Sequence, residues 1–402
     1  MSTFRALKHR SFALLWTGQT LSRLGDFVYE IALSWWILQK TGSAEAMGLM
    51  WVFVVAPSVL LLLLGGAMVD RFSRVRLMLI SDVGRALIVA FVATLAHFDQ
   101  LQLWHVYATS FFFGIVDAFF APAYIAIVPQ IVPTEDLPSA NALTSISANL
   151  GRVAGPSLGA GIIVWVGTST AFIINGASFL VSACFLVPLI FANIPRPEPS
   201  ENHLLADIRE GFGVVTSTPW LWISIIIFSL INVTLAGPYI VAMPFLVSDF
   251  MKADVTRLGL ILSIFPIGYV IGGAWLGRFH KLPRRGIIMN MTLAIAAIML
   301  GLYGLHLPLW ILIVAALING IALQAGSLAW TTILQEKIPN AQLGRVSSID
   351  QMGSMGLMPV GLYIAGVLTG TIGPSLVFLL GGGVTALVGL LAIMHPAIRQ
   401  LD

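Results

Sequence analysis

Twelve apolar stretches follow one another along this 402-residue chain, and that succession decides most of what it can fold into. They fall near 12–38, 47–69, 77–96, 104–130, 140–165 and 171–191, then near 219–246, 258–276, 286–305, 308–334, 347–368 and 373–394. A helix needs about 20 apolar residues to cross the hydrocarbon core of a bilayer, whereas a membrane β-strand needs only about 10. The stretches are too long for strands, and their polar residues do not alternate as a barrel wall requires. Gly and Pro recur in them, as membrane helices tolerate. Only 10% of the residues are charged, against roughly 25% in soluble domains. A water-facing surface cannot be built from that supply, and a lipid-facing one needs none. The sequence predicts an all-α membrane protein with twelve transmembrane helices and no large domain outside the bilayer.

Lys and Arg orient the chain, because they collect on cytoplasmic loops. With the N-terminus inside, the outer loops hold only Lys40, Lys252 and Arg257, and Arg23, Arg85 and Arg152 lie within spans. The other fifteen basic residues fall on inner segments. Both termini are therefore expected in the cytoplasm of a multi-pass protein of the bacterial cytoplasmic (plasma) membrane. Topology accounts for these charges, and a net charge of +3 gives no reason to expect a nucleic-acid partner. Cys184 is the single cysteine and lies in an apolar stretch, so no intrachain disulfide or cysteine-based metal site is possible. No cofactor or metal is expected, and the chain is expected to be monomeric in the lipid bilayer.

The spans divide into two related sets. GGAMVDRF at 65–72 follows the second span and GGAWLGRF at 272–279 follows the eighth, an offset of 207 residues. IVPTEDL at 131–137 and KIPNAQL at 337–343 follow the fourth and tenth spans at an offset of 206. Such parallel halves, related by an axis along the membrane normal, are one known transporter plan with a binding site at the repeat interface. The expected division is a six-helix bundle at 1–192, a cytoplasmic linker with a short amphipathic helix at 193–218, and a second six-helix bundle at 219–402.

These residues resemble the major facilitator superfamily. Its loop signature has a counterpart in Gly66, Asp70 and Arg71, followed by Arg74 and Arg76; the second copy carries Gly277 where the acid would stand. Gly151, Gly155, Pro156 and Gly159 in the fifth span look like the antiporter signature of the drug–proton exporters, with Ala142 in place of one upstream glycine. The blocks at 24–43 and 333–348 look like the branch that includes macrolide efflux proteins and the enterobactin exporter. The resemblance implies two pseudo-symmetric six-helix bundles. It also implies that Asp70 meets the start of the eleventh span, near Gly344 to Ser348, and that Arg71 and Arg74 find acids nearby, Asp350 among them. The glycines of the fifth span are expected to pack closely rather than touch substrate.

An ionisable group at mid-membrane costs about 2.5–3.5 kcal/mol, which makes it a functional candidate by default. Asp26 and Glu30 lie in the first span, four apart and so on one helical face, and Asp117 lies in the fourth. Desolvation favours the neutral form of a carboxyl, which lets protonation and substrate compete for one site. These three acids are the proton-coupling candidates. Arg23, one turn from Asp26, and Arg152, facing Asp117, are their candidate charge partners; Asp82 and Arg85, three apart, read as a structural pair. The resemblance implies a cavity lined by the first and fourth helices of each half. The neutral candidates on those helices are Tyr29, Trp36, Phe120, Tyr124, Asn232, Tyr239, Asn319 and Gln324, the aromatic ones suited to a flat or cationic ligand.

Other function classes fit poorly. Gly155 to Gly159 spells a hydrolase G-x-S-x-G pattern, but inside a membrane helix rather than a strand–turn–helix. No Gly-Lys dipeptide occurs, so there is no Walker A loop. A membrane-embedded enzyme is the distant alternative. The expected function is export of amphipathic organic molecules by proton antiport with alternating access, the mid-membrane acids favouring a cation or a proton, with export of a siderophore-like metabolite or flipping of a lysophospholipid as alternatives.

Overall fold

The computed structural model describes residues 4–192, 194, 204–276 and 284–401, except the side chains of 62–67, 70, 204–208, 340 and 341. Every regular element among these residues is helical. In the first part of the chain these are α1 (Arg10–Thr41), α2 (Ala44–Arg71), α3 (Arg74–His97), α4 (Leu103–Ile131), α5 (Leu137–Val166) and α6 (Thr168–Ile190). After α7 (Leu204–Ser217) follow α8 (Pro219–Phe250), α9 (Val255–Leu276), α10 (Arg285–Gly301), α11 (Leu309–Lys337), α12 (Asn340–Met355), α13 (Met358–Ile372) and α14 (Pro374–Met394). Ten helical stretches among the described residues are long and apolar enough to cross a membrane, α12 and α13 together supplying one of them. The first and fifth expected spans, α1 and α5, run to 32 and 30 residues but fall short in apolarity. Arg23, Asp26 and Glu30 dilute α1, and Arg152 with a run of Ser, Asn and Gly dilutes α5. These are also the helices on which the candidate site and the glycine motif stand.

The chain forms two compact units, one of residues 1–41 and 50–201, the other of 42–49 and 202–402. In the first unit α1 packs on α5 and α6, and α3 on α4 and α6. The α1–α5 contact is unusually close. A Cβ at Gly155 would collide with the Phe27 Cβ, one at Gly151 would stand 3.0 Å from the Phe27 ring, and one at Gly159 3.1 Å from the Val28 Cα. Small residues allow this approach where lipid supplies no hydrophobic drive between helices. Gly114 of α4 likewise admits the Val54 carbonyl of α2, whose neighbour Ser58 donates a hydrogen bond to the Gly114 carbonyl at 2.9 Å. In the second unit α10 packs on α11 and α14, and α9 on α11, where Gly320 admits the Phe265 carbonyl. Gly114 and Gly320 are 206 residues apart, so the sequence repeat recurs as a repeated helix crossing.

The second sequence echo also has a structural counterpart. In the first unit a single helical turn, Arg5–Lys8, docks on the start of α5: Arg5 Nε lies 2.7 Å and His9 Nε2 2.8 Å from the Asp136 carboxylate, and the Ala6 N–H reaches Ser139 at 2.9 Å. In the second unit α7 docks on the start of α12, where Arg345 Nη1 lies 2.6 Å from Glu210 and Gly211 meets the Arg345 and Ile349 side chains. The expected amphipathic segment at 193–218 thus includes α7, while 193 and 195–203 lie outside the described residues. The surroundings of Gly66 and Asp70 and the whole of Gly277 also lie outside them.

Candidate functional site

α1 turns one face to α5 and α6 and the next to a cavity. Phe27, Val28 and Ile31 meet the α5 glycines, and Gly25 meets Asn175 and Ser178 of α6. Asp26, Tyr29, Glu30 and Leu33, at helical spacings of three and four, line a cavity of about 180 Å³. α2 adds Met50, Trp51 and Val54, and α4 adds Ser110, Phe113 and Asp117. The three candidate carboxylates of the first unit therefore share one cavity, although α4 lies some 90 residues along the chain from α1. Its aromatic wall is ordered: Tyr29 stacks on Phe113 at 6.2 Å and meets Phe172 edge-on at 5.3 Å. Two polar atoms at the cavity, Asp26 Oδ1 and Trp51 Nε1, are buried with no hydrogen-bond partner among the described residues. Buried polar atoms are nearly always satisfied, so each of these can take a water, a proton or a ligand as its partner.

Behind the cavity stands a buried ionic network. Arg85 of α3 places Nη2 2.6 Å from Asp82 Oδ1 and Nη1 3.4 Å from Asp117 Oδ1. Its guanidinium is held between the faces of Phe120 and Phe179, 4.3 and 4.5 Å from their centroids. Asp82 is fully buried and accepts further hydrogen bonds from Ser182 at 2.6 Å and Gln19 at 3.2 Å. Asp117, with a side chain 45% exposed, is the member that looks into the cavity. The local pair Asp82–Arg85 is in place, and it reaches on to a third acid.

The other candidate residues are distributed as follows. Arg23 does not pair with Asp26: its guanidinium donates to the Thr144 carbonyl at 3.4 Å and lies 4.9 Å above the Tyr124 ring. Arg152 is exposed on α5, and the cation at Asp117 is Arg85 instead. Tyr124 hydrogen-bonds Thr144 at 3.1 Å and Phe120 stacks on it at 6.2 Å, both buried outside the acidic cavity. Trp36 is half-buried further along α1 and does not line it. Arg74 donates to the Ala126 carbonyl at 2.6 Å, Arg71 is exposed, and Asp350 is engaged by Trp330 and Ser354. In the second unit Asn232 lines two neighbouring cavities of about 350 and 220 Å³, the smaller shared with Tyr239 and Asn319. Asn319 donates to the Ala296 carbonyl at 2.6 Å, and the buried Gln324 Oε1 has no hydrogen-bond partner among the described residues.

Sequence reasoning did not single out Trp51, Phe113, Gln19, Ser182 or Trp330. A buried polar residue in an apolar span was the available signal for Gln19 and Ser182. Nothing local separates Phe113 from Phe111 and Phe112, which are exposed.

Comparison with known proteins follows the same line. A family model described as transmembrane secretion effector matches residues 1–402. Macrolide efflux protein A of Streptococcus pyogenes is 25% identical over 398 residues, covering 97% of each chain. The enterobactin exporter EntS of Escherichia coli is 25% identical over 347 residues, covering 85% of this chain and 81% of its own. Among solved structures, a bacterial homologue of the iron transporter ferroportin in its inward-facing state superposes with a TM-score of 0.75 at 14% identity, covering 96% of this chain and 99% of its own. The nucleoside transporter NupG gives 0.75 at 13% identity, with 96% and 98% covered. These two likenesses speak for the fold alone.

Proposed function

The chain belongs to the transmembrane secretion effector family of the major facilitator superfamily, and from that premise we propose that it exports amphipathic, cationic organic molecules in exchange for protons, by alternating access. Membrane export, rather than catalysis, is the activity its relatives are named for. With this goes the proposal of twelve crossings with both ends in the cytoplasm. The observation that carries the reading is the cavity of the first unit, where Asp26, Glu30 and Asp117 converge among aromatic rings with Asp26 Oδ1 buried and unpartnered. A carboxylate in such a place is stabilised either by a proton or by a cationic ligand. The two occupants exclude each other: a proton entering releases the cation, and a cation entering displaces the proton. Asp117 keeps Arg85 at hand in either state, Glu30 feels the charge of Arg152, and Asp26 Oδ1 is buried with no hydrogen-bond partner among the described residues.

A second reading, export of a siderophore-like metabolite, is supported by the match to an enterobactin exporter over 85% of this chain. An anionic cargo would want a cationic side chain in the cavity, and its lining holds three acids and no Lys or Arg among the described residues.

Gradient-driven efflux of a cationic dye from vesicles tests the proposal. Asp26→Asn and Glu30→Gln are each expected to slow it by about tenfold or more, the loss of about 1.4 kcal/mol of coupling, and Asp117→Asn is expected to impair it. If all three variants retain gradient-driven efflux, the proton-coupling assignment is wrong.

A further inference from the structure

The second unit holds a half-buried acid that the proposed coupling site does not use. Asp350 of α12 forms part of the wall of the cavity of about 350 Å³. Its Oδ2 accepts the Trp330 indole N–H at 2.9 Å, and its Oδ1 accepts the Ser354 hydroxyl at 3.3 Å. Both donors are neutral, and no Lys or Arg among the described residues forms an ion pair with it. Neutral hydrogen bonds offset part of the cost of an ionised carboxylate inside a membrane helix but leave its charge uncompensated.

The surroundings say what would compensate it. Phe228 and Trp330 meet edge-to-face at 5.0 Å and both border the cavity, with Trp220 holding the far side of Trp330 at 5.9 Å. Asn232 fixes the floor by donating to the Ser354 carbonyl at 2.9 Å. It opens a π turn, Asn232–Ala236, of the widened kind that recurs at functional sites. A separate cavity of about 220 Å³ shares Ile231, Asn232 and Leu323 with the larger one and is lined by Tyr239 and Phe265. One acid, two aromatic rings and a neighbouring apolar cavity match an organic cation with an aromatic or apolar body. A bare divalent metal would want several oxygen ligands instead of one carboxylate, and an anion would be repelled.

We propose that the Trp330–Asp350 pocket is a second cargo site, which takes the positively charged head of an aromatic organic cation inside the C-terminal half. Its role in transport rests on the export reading above; binding itself does not.

The test is equilibrium binding of tetraphenylphosphonium to the full-length protein in lipid nanodiscs, without a gradient, in a parent chain whose first cavity is silenced by Asp26→Asn, Glu30→Gln and Asp117→Asn. Asp350→Asn, which keeps an acceptor for Trp330, is expected to raise Kd by about tenfold or more, as loss of the one charge partner in the pocket would. Asp350→Glu keeps the charge and should bind within about threefold of the parent. Trp330→Phe keeps the aromatic face, removes the indole donor and frees the carboxylate, so it should bind at least as tightly as the parent. Unchanged binding by Asp350→Asn overturns the proposal. Equal weakening by Asp350→Asn and Trp330→Phe also overturns it, because the hydrogen bond between them would then be the whole function of the pair. Binding by the parent that depends on Asp350, with no gradient-driven cation movement by the wild type in vesicles, keeps the pocket and removes the export reading.

Discussion

Arg85 is the side chain whose loss is expected to cost the first unit most. It is buried between two phenyl rings and neutralises an acid with no access to solvent. Arg85→Gln leaves Asp82 with neutral donors only, which for a broken buried pair costs about 3–5 kcal/mol. Asp82→Asn in the same chain should restore most of that, because removing both charges leaves nothing uncompensated. Thermal unfolding in detergent compares them, and a double variant no more stable than Arg85→Gln would show that the pair is not what holds these helices. Asp117→Asn belongs to another class. Its contact with Arg85 is long and partly exposed, so it should change stability by no more than about 1 kcal/mol, and any efflux defect it causes is then a functional one. This is also the scale at which the sequence is most and least informative. The four-residue spacing of Asp26 and Glu30 and the three-residue spacing of Asp82 and Arg85 are local, and each stands in the structure as read. That Arg85 goes on to Asp117, while Arg23 turns to Thr144 and Tyr124, depends on which faces of three helices meet. Helices apolar all round carry no polar stripe to say so.

Among the elements, α1 and α5 form a close contact through the helix face beside the one that lines the cavity. The glycine spacing in α5 announces a close partner without naming it, and the partner is Phe27, one residue past the cavity acid Asp26. The two glycines are expected to differ in a way that only this geometry explains. Gly151→Ala meets the Phe27 ring, whereas Gly155→Ala meets its Cβ. Both should be destabilising by about 1–3 kcal/mol, the usual cost of overpacking. Phe27→Ala removes the ring and keeps the Cβ, so it should relieve Gly151→Ala and leave Gly155→Ala unrelieved. Gly161→Ala, with nothing within 4 Å of the new carbon, is the control and should be neutral. Folded yield and thermal unfolding read all of these. Relief of both glycine variants by Phe27→Ala would mean that α1 and α5 do not cross as described. Element boundaries were legible to within a few residues wherever hydropathy drops sharply. The eleventh span was less so: α12 and α13 are separate helices either side of Gly356 and Leu357, and the polar start of α12 does not look like membrane in sequence.

For the whole molecule, the open question is whether α1 and α5, the two helices short of apolar residues, cross the bilayer as their lengths allow. At about 1.5 Å per residue each exceeds the roughly 30 Å of a hydrocarbon core. In α1 the polar side chains are largely turned into the first unit, with Gln19 and Ser22 buried and Asp26 and Glu30 lining the cavity, whereas α5 turns its glycines to α1 and leaves Arg152 and Ser157 exposed. A helix whose polar face is covered by protein shows lipid only its apolar remainder, so mean apolarity understates its fitness to span. Four single cysteines in a Cys184→Ser background separate the possibilities, all at exposed positions. Lys8 and Arg71 are separated by α1 and α2, so with α2 crossing they face the same side only if α1 crosses as well. Gln100 and Lys252 are separated by α4, α5, α6 and α8, so with α4, α6 and α8 crossing they share a side only if α5 crosses as well. An impermeant maleimide added to intact cells should label the Gln100 and Lys252 positions, and should reach the Lys8 and Arg71 positions only after permeabilisation. Labelling of Lys8 but not Arg71 from outside would remove α1 from the crossings, and opposite behaviour of Gln100 and Lys252 would remove α5. Either result would break the even count on which the basic-residue asymmetry, the repeat offset of 207 residues and a cytoplasmic position for both termini together depend.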